Sequence, residues 1–288
     1  MKDDLKLLAP DEFPALLREI PDRPKQLHLR GTLPSSENKW LAIVGSRACT
    51  EYGRRALRYL VEGLRGYPIV IVSGLAYGID AEAHRAALDT GLTTVAVPGS
   101  GLDWNVLYPR ANVALAREIL EKGGALLSEE KPDMRATDYT FPKRNRVMAG
   151  LCHATLMIEA KEKSGSLITA KLTTEYNRDL LVVPGNIFSE ESRGTHQFLR
   201  LGATAVTSPE DVLVALGITK REGAGTLNEL REDLSDDEKR VFEIIMSPRP
   251  RDELLTALDL SISEANVLLS TMEIKGLIVE ELGVVRIR

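Results

Sequence analysis

The chain has 288 residues, 43% hydrophobic and 27% charged, a composition ordinary for a soluble globular protein with length for one large domain or two. No run is apolar for the length of a bilayer span, and Met1-Lys2-Asp3-Asp4 has neither the basic nor the apolar stretch of a secretory leader, so a cytoplasmic protein without a membrane partner is expected. Its formal net charge of −5 argues at first sight against nucleic acid, yet residues 230–288 hold 8 Lys/Arg and 13 Asp/Glu, which leaves the rest neutral and free to carry a local basic strip.

Residues 1–39 carry Pro10, Pro14, Pro21, Pro24 and Pro34 around a short helical pattern at 11–20, and read as an extended lead-in packed beside a sheet. A βαβα alternation then runs over 40–216. Trp40-Leu41-Ala42-Ile43-Val44 leads into Gly45-Ser46-Arg47, 69–72 into Ser73-Gly74-Leu75-Ala76-Tyr77-Gly78-Ile79-Asp80, and 93–97 into Pro98-Gly99-Ser100-Gly101-Leu102-Asp103. These runs are short, β-branched and without alternation, as in strands buried on both faces of a parallel sheet. Helical stripes follow them at 51–65, 78–90 and 111–122. Next come a strand at 125–128, a polar loop at 129–140, a helix opening at Phe141 and a strand at 154–159. Ser164-Gly165-Ser166 caps a helix to about Asn177, a strand at 180–183 ends in Pro184-Gly185-Asn186, and a loop through Arg193-Gly194-Thr195-His196 precedes a short helix and a strand at 203–206. The expected class is α/β: an extended Rossmann-like, doubly wound, mostly parallel sheet.

Residues 217–234, with Gly217, Gly223 and Gly225 in a mixed-charge run, read as a linker. Beyond it, helical patterns at 238–246, 251–258 and 263–275 and a hairpin from 277–280 and 284–287 describe a small winged-helix domain at 235–288. Its third helix offers only Lys275 against Glu264 and Glu273, so phosphate attraction through it is poor and a protein-contact or regulatory role is at least as well supported.

In a doubly wound sheet the loops at the carboxyl ends of the strands share one edge, where glycines admit close backbone approach and helix N-termini favour anions. The richest segment there is Phe141-Pro142-Lys143-Arg144-Asn145-Arg146, one ring and three cations on a first helical turn. That chemistry suits a stacked base flanked by phosphates, with Asn145 on a base edge or tying down the loop; a solvated helix face with Phe141 as a hydrophobic staple is the competing reading. Gly45 stands alone in its loop, Gly99-Ser100-Gly101 is followed by Trp104 where a third glycine belongs, and 69–72 ends in Ser73 rather than an acid, so a dinucleotide site is disfavoured. No G-x-x-x-x-G-K-[ST] occurs either. Cys49 and Cys152 lack metal-ligand spacing, and His28, His84, His153 and His196 are scattered, so neither metal nor cofactor is expected.

Assembled in order over 40–216, Gly45-Ser46-Arg47, Ser73-Gly74-Leu75-Ala76-Tyr77-Gly78-Ile79-Asp80-Ala81, Pro98-Gly99-Ser100-Gly101-Leu102-Asp103, Tyr108-Pro109-Arg110, Phe141-Pro142-Lys143-Arg144-Asn145-Arg146, Ser164-Gly165-Ser166-Leu167-Ile168-Thr169-Ala170 and Pro184-Gly185-Asn186 resemble the DNA processing protein A family of bacterial transformation proteins. The acidic winged helix resembles that family's usual C-terminal module. The resemblance implies a non-enzymatic, homodimeric protein that binds single-stranded DNA, protects incoming strands in natural transformation and recombination, and helps load a RecA-type recombinase. It implies DNA contacts at Gly45, Ser46, Arg47, Ser73, Gly74, Gly99, Ser100, Gly101, Arg110, Phe141, Lys143, Arg144, Asn145, Arg146, Ser164, Gly165 and Ser166, with Arg47 and Arg110 as phosphate ligands and Phe141 as the stacking ring. One departure is that residues 1–39, with five prolines, cannot hold the helical domain that members often carry before the sheet. The runner-up is a nucleotide-binding or phosphoribohydrolase-like Rossmann protein. Its P-G-G-x-G-T-x-x-E motif is matched only by Pro184-Gly185-Asn186 and Gly194-Thr195-His196-Gln197-Phe198, without the glutamate.

Overall fold

The apolar runs become strands of one nine-stranded sheet in a computed structural model that describes residues 5–219, 234–245, 249–258, 260–275, 277–281 and 283–287. Its strands are β1 (Leu5–Leu8), β2 (Leu27–Gly31), β3 (Lys39–Val44), β4 (Ile69–Ser73), β5 (Thr93–Ala96), β6 (Ala125–Ser128), β7 (Ala154–Met157), β8 (Asp179–Val182) and β9 (Thr204–Ala205). They lie in the order β1-β2-β6-β5-β4-β3-β7-β8-β9. From β6 to β9 every pairing is parallel. The chain starts this parallel part at β3, steps outward through β4, β5 and β6, then returns to the other side of β3 for β7, β8 and β9. The topological switch point therefore lies between β3 and β7, where the crevice of a doubly wound sheet opens.

The connections are helices α1 (Ala15–Glu19), α2 (Glu51–Glu62), α3 (Ile79–Thr90), α4 (Val113–Glu121), α5 (Thr140–Leu151), α6 (Ser166–Glu175), α7 (Arg193–Arg200) and α8 (Pro209–Ala215). Trp40, Ala42 and Val44 of β3 pack in one core with Leu17, Ile20, Val147, Met148 and Leu151, while the alternate residues Leu41 and Ile43 are equally buried. Both faces are covered, which is why these strands read as unbroken apolar runs. Helix ends follow local chemistry: Thr50 accepts from the Gly53 amide at 3.1 Å, and Gly91, at φ 73°, closes α3.

The N-terminal segment departs from expectation. It does not lie beside the sheet but extends it, β1 pairing antiparallel with β2 and β2 antiparallel with β6. An uncovered β6 would present unpaired backbone groups, and the prolines fall in the turns and at helix starts, leaving both strands free to pair. No helix among the described residues is long and apolar enough to cross a membrane.

The chain divides into two units, Met1–Arg221 and Glu222–Arg288. Most of the expected linker, residues 220–233, lies outside the described residues. The second unit holds α9 (Asp236–Ile244), β10 (Arg249–Pro250), α10 (Arg251–Ala257), α11 (Ile262–Ile274), β11 (Ile278–Glu281) and β12 (Val284–Ile287). Its sheet runs β10-β12-β11 over a core of Val241, Phe242, Leu254, Leu269, Met272 and Val285, the winged-helix arrangement expected. Lys275, the cation ending the third helix, bonds Glu238 at 2.8 Å and holds that carboxyl below its usual range, so it is already neutralised within the unit.

Candidate nucleic-acid interface

At the switch point a cleft of about 500 Å³ opens between the loop after β3, the first turn of α5 and the loop after β7. Nine of the sequence-selected residues line it: Gly45, Ser46, Arg47, Phe141, Arg144, Asn145, Ser164, Gly165 and Ser166. Arg47 is exposed at the mouth, its guanidinium 4.9 Å from the centroid of the Phe141 ring. Phe141 is half-buried, lies against Gly99, where any side chain would strike the ring, and meets Tyr108 at 5.8 Å between centroids. A cation stacked on a fixed ring, with no ion-pair partner for Arg47 among the described residues, is chemistry that receives a base and a phosphate together.

Arg144 differs from its neighbours in the same segment. It is buried, donates to the carbonyl of Val97 and, through Nε, to Asn145 Oδ1 at 3.2 Å, and it faces Asp80. Asn145 in turn donates to the carbonyl of Gly165 at 3.3 Å. A side chain at Gly74 would collide with both Arg144 and Asp80, so the glycine is needed for the pair to close. Burial pushes the Asp80 carboxyl up while Arg144 and the backbone amides of Ala76 and Gly74 pull it down; burial brings Arg144 down to about 10, against the pull of Asp80. Arg144 stays charged at neutral pH and, together with Asn145, ties the turn after β5, the start of α3 and the loop after β7 to the floor of the cleft. Asn145 thus ties down a loop, one of the two roles open from sequence. Behind them His84 is fully buried, with Nδ1 2.7 Å from Thr94 Oγ1. Because Thr94 donates its own hydrogen to the Ile71 carbonyl at 2.9 Å, Nδ1 must carry the proton. Burial, then Arg144, lowers His84 to about 3.

The other eight selected residues lie outside the cleft lining. Lys143 pairs with Glu130 at 2.9 Å and Arg146 with Glu129 at 2.5 Å, and Arg146 also donates to the carbonyl of Asp22 in the N-terminal segment. Ser73 is buried and donates to the Ile43 carbonyl at 2.7 Å. Ser100 is buried, donating to Gly101 and accepting from the Tyr108 amide at 3.2 Å. Gly101 donates to Met134 at 2.8 Å, with the carbonyls of Lys131 and Pro132 where a side chain would stand. The loop 129–139 therefore covers Gly101 and braces the turn after β5, which an open phosphate surface along that edge did not anticipate. Arg110 is exposed and donates to the Trp104 carbonyl.

The cap of α6 takes a modified form: the N-cap position is Gly165, without a side chain, and the Ser164 hydroxyl accepts from the Ser166 amide at 3.4 Å and bonds the Ser166 hydroxyl at 2.7 Å. The sequence reading also missed Lys161 and Lys163, which line the cleft on either side of Glu162 just before the serines. Lys161 is paired with Glu191 at 3.2 Å and Lys163 is exposed. A lysine pair next to Ser164-Gly165-Ser166 was the available signal.

Fold and cleft define a Rossmann-like α/β protein with a cation-mouthed cleft at its switch point. Residues 5–217 match the family model of DNA recombination-mediator protein A, and the chain belongs to that family. It is 43% identical over 203 residues to DNA processing protein DprA of Streptococcus pneumoniae, covering 70% of this chain and 71% of the relative. It is 42% identical over 201 residues to Protein Smf of Escherichia coli, covering 70% of this chain and 53% of the relative, so the match spans about half of that protein. Among solved structures, the DprA of Streptococcus pneumoniae superposes with a TM-score of 0.68 at 40% identity, over 73% of this chain and 74% of that one. DNA processing protein A from Helicobacter pylori, in a structure addressing its single-stranded DNA binding mode, gives 0.65 at 28% identity, over 75% of this chain and 96% of that one.

Proposed function

We propose that the cleft holds single-stranded DNA and that the protein is a binding protein, not an enzyme, acting in DNA processing during natural transformation and recombination. The Arg47 guanidinium stacked on Phe141 at the cleft mouth carries this reading. A base stacks on that platform while Arg47, Lys163 and the N-terminal end of α6 receive phosphates. The family match and the single-stranded DNA binding of the Helicobacter pylori relative support it. Asp80, the one carboxylate among the lining residues, is buried against Arg144 and is poorly placed as a general acid or base. Action as a homodimer and hand-over of strands to a RecA-type recombinase complete the proposal; the hand-over alone is supported by the family's description as a recombination mediator.

The test is titration of single- and double-stranded oligonucleotides at several salt concentrations. Log affinity for single strands falls with log salt at a slope of about −0.7 per phosphate neutralised. Equal affinity for duplex of the same length overturns the reading, and release of free base from a nucleoside monophosphate replaces it with the hydrolase alternative. For the recombinase step, the purified chain speeds filament formation on strands already coated with single-strand-binding protein; no acceleration removes that part.

A further inference from the structure

The cleft explains Phe141 but not three tyrosines that stand on the same sheet edge. Tyr77 follows β4, Tyr108 follows β5 and Tyr139 follows β6, with relative exposures of 45%, 39% and 77%. Each sits on braced backbone. Asn112 Nδ2 donates to the carbonyl of Leu75 at 2.8 Å and to that of Ala76 at 3.2 Å, beside Tyr77. The Tyr108 amide is held by Ser100, and the turn at Tyr139 is closed by the Thr140 hydroxyl donating to the Thr137 carbonyl at 2.9 Å. Rings on fixed backbone stack bases with little further ordering to undergo.

The row is continuous with the cleft: Ala76, next to Tyr77, lines it, and Tyr108 touches Phe141. Exposed cations accompany the rings, namely Arg110, Lys131 and Arg135, against exposed Asp133 and Asp138. Neighbouring strands lie about 4.8 Å apart, so the loops from β3 to β6 span about 14 Å, room for a few extended nucleotides. On the opposite side of the cleft Phe188 is 87% exposed in the loop after β8, but exposed Glu190 follows it.

We propose that a single DNA strand leaving the cleft continues across the loops of β4, β5 and β6, its bases stacking on Tyr77, Tyr108 and Tyr139. The proposal rests on the cleft being a single-stranded DNA site and gives that site a direction. It is tested with oligothymidylates from about 4 to about 16 nucleotides at fixed salt. Affinity of the unaltered chain rises with length, and Tyr139→Ala and Tyr77→Ala each remove about tenfold from the longest strands with a smaller loss on the shortest. Tyr139→Phe, which keeps the ring, retains the long-strand affinity. Photo-crosslinking with iodouracil places adducts on the tyrosines only for the longer strands. Tyrosine variants that bind long strands as well as the unaltered chain overturn the track alone, as does a length-dependent loss confined to Phe188→Ala. An unaltered chain that binds no single strand at any length overturns the cleft reading and the track with it.

Discussion

Two glycine turns leave neighbouring parts of the sheet and meet opposite fates. After β3, Gly45 packs against Ile79 and Ser46 is buried, yet Arg47 stays exposed over Phe141 and the turn lines a cleft. After β5, Gly99-Ser100-Gly101 is buried, its glycines pressed against Phe141 and the carbonyls of Lys131 and Pro132. Both have the sequence of a loop that could cradle phosphate. What separates them is the connection that arrives on top: the chain from β6 to α5 folds back over the β5 turn, whereas the strand order reverses beside β3 and leaves a gap. The difference teaches that a small-residue turn is permissive of close approach without saying whether ligand or protein makes it.

The sharpest way to break this comparison is through the bracket beneath both turns. Arg144→Met leaves Asp80 buried without its cation and is expected to cost about 3–5 kcal/mol in denaturant unfolding. A cost near zero would show that the loops are not tied through this pair. His84 gives an acid-side counterpart. Its folded value, about 3, lies below the ordinary 6.5, so its contribution is fully present above pH 6.5 and is lost as pH falls through 6.5 toward 3. The loss approaches about 5 kcal/mol. Unfolding midpoints measured across that window should fall, and His84→Gln should flatten the fall; an unchanged slope would place the acid sensitivity elsewhere.

Smaller effects are expected in binding. Phe141→Ala should lose about 1–3 kcal/mol of single-strand affinity with the salt slope unchanged, because stacking releases no counterions. Arg47→Ala should weaken binding and flatten the slope by about 0.7. Lys143→Ala and Arg146→Ala, whose cations already face Glu130 and Glu129, should change the slope by less than Arg47→Ala does. A larger flattening at Lys143 would mean that DNA displaces the glutamates. The least effect belongs to the second unit: with Lys275 held by Glu238, ending the chain before Glu222 should leave affinity equal or raised in the same titration. A large loss would make the winged helix a DNA arm.

Local patterns determined much of this protein. Unbroken β-branched runs specified buried parallel strands, helical stripes specified their crossovers, and helical patterns at 238–246, 251–258 and 263–275 specified the helices of the winged unit. These signals lie within a few residues and depend on backbone propensity and burial, which a sequence displays directly. The residues of the Arg47 and Phe141 platform were legible too, as a cation and a ring following strand ends. Tertiary structure alone decided the rest. Lys143, Arg144 and Arg146 are near neighbours of one charge, yet two face glutamates from another loop and one is buried against Asp80. Residues 5–8 and 27–31 became strands that cover the edge of β6, which the parallel part alone would leave unpaired. Which partner reaches a charge, and which strand lacks a neighbour, are settled by chain crossings many residues away, and no local pattern records them.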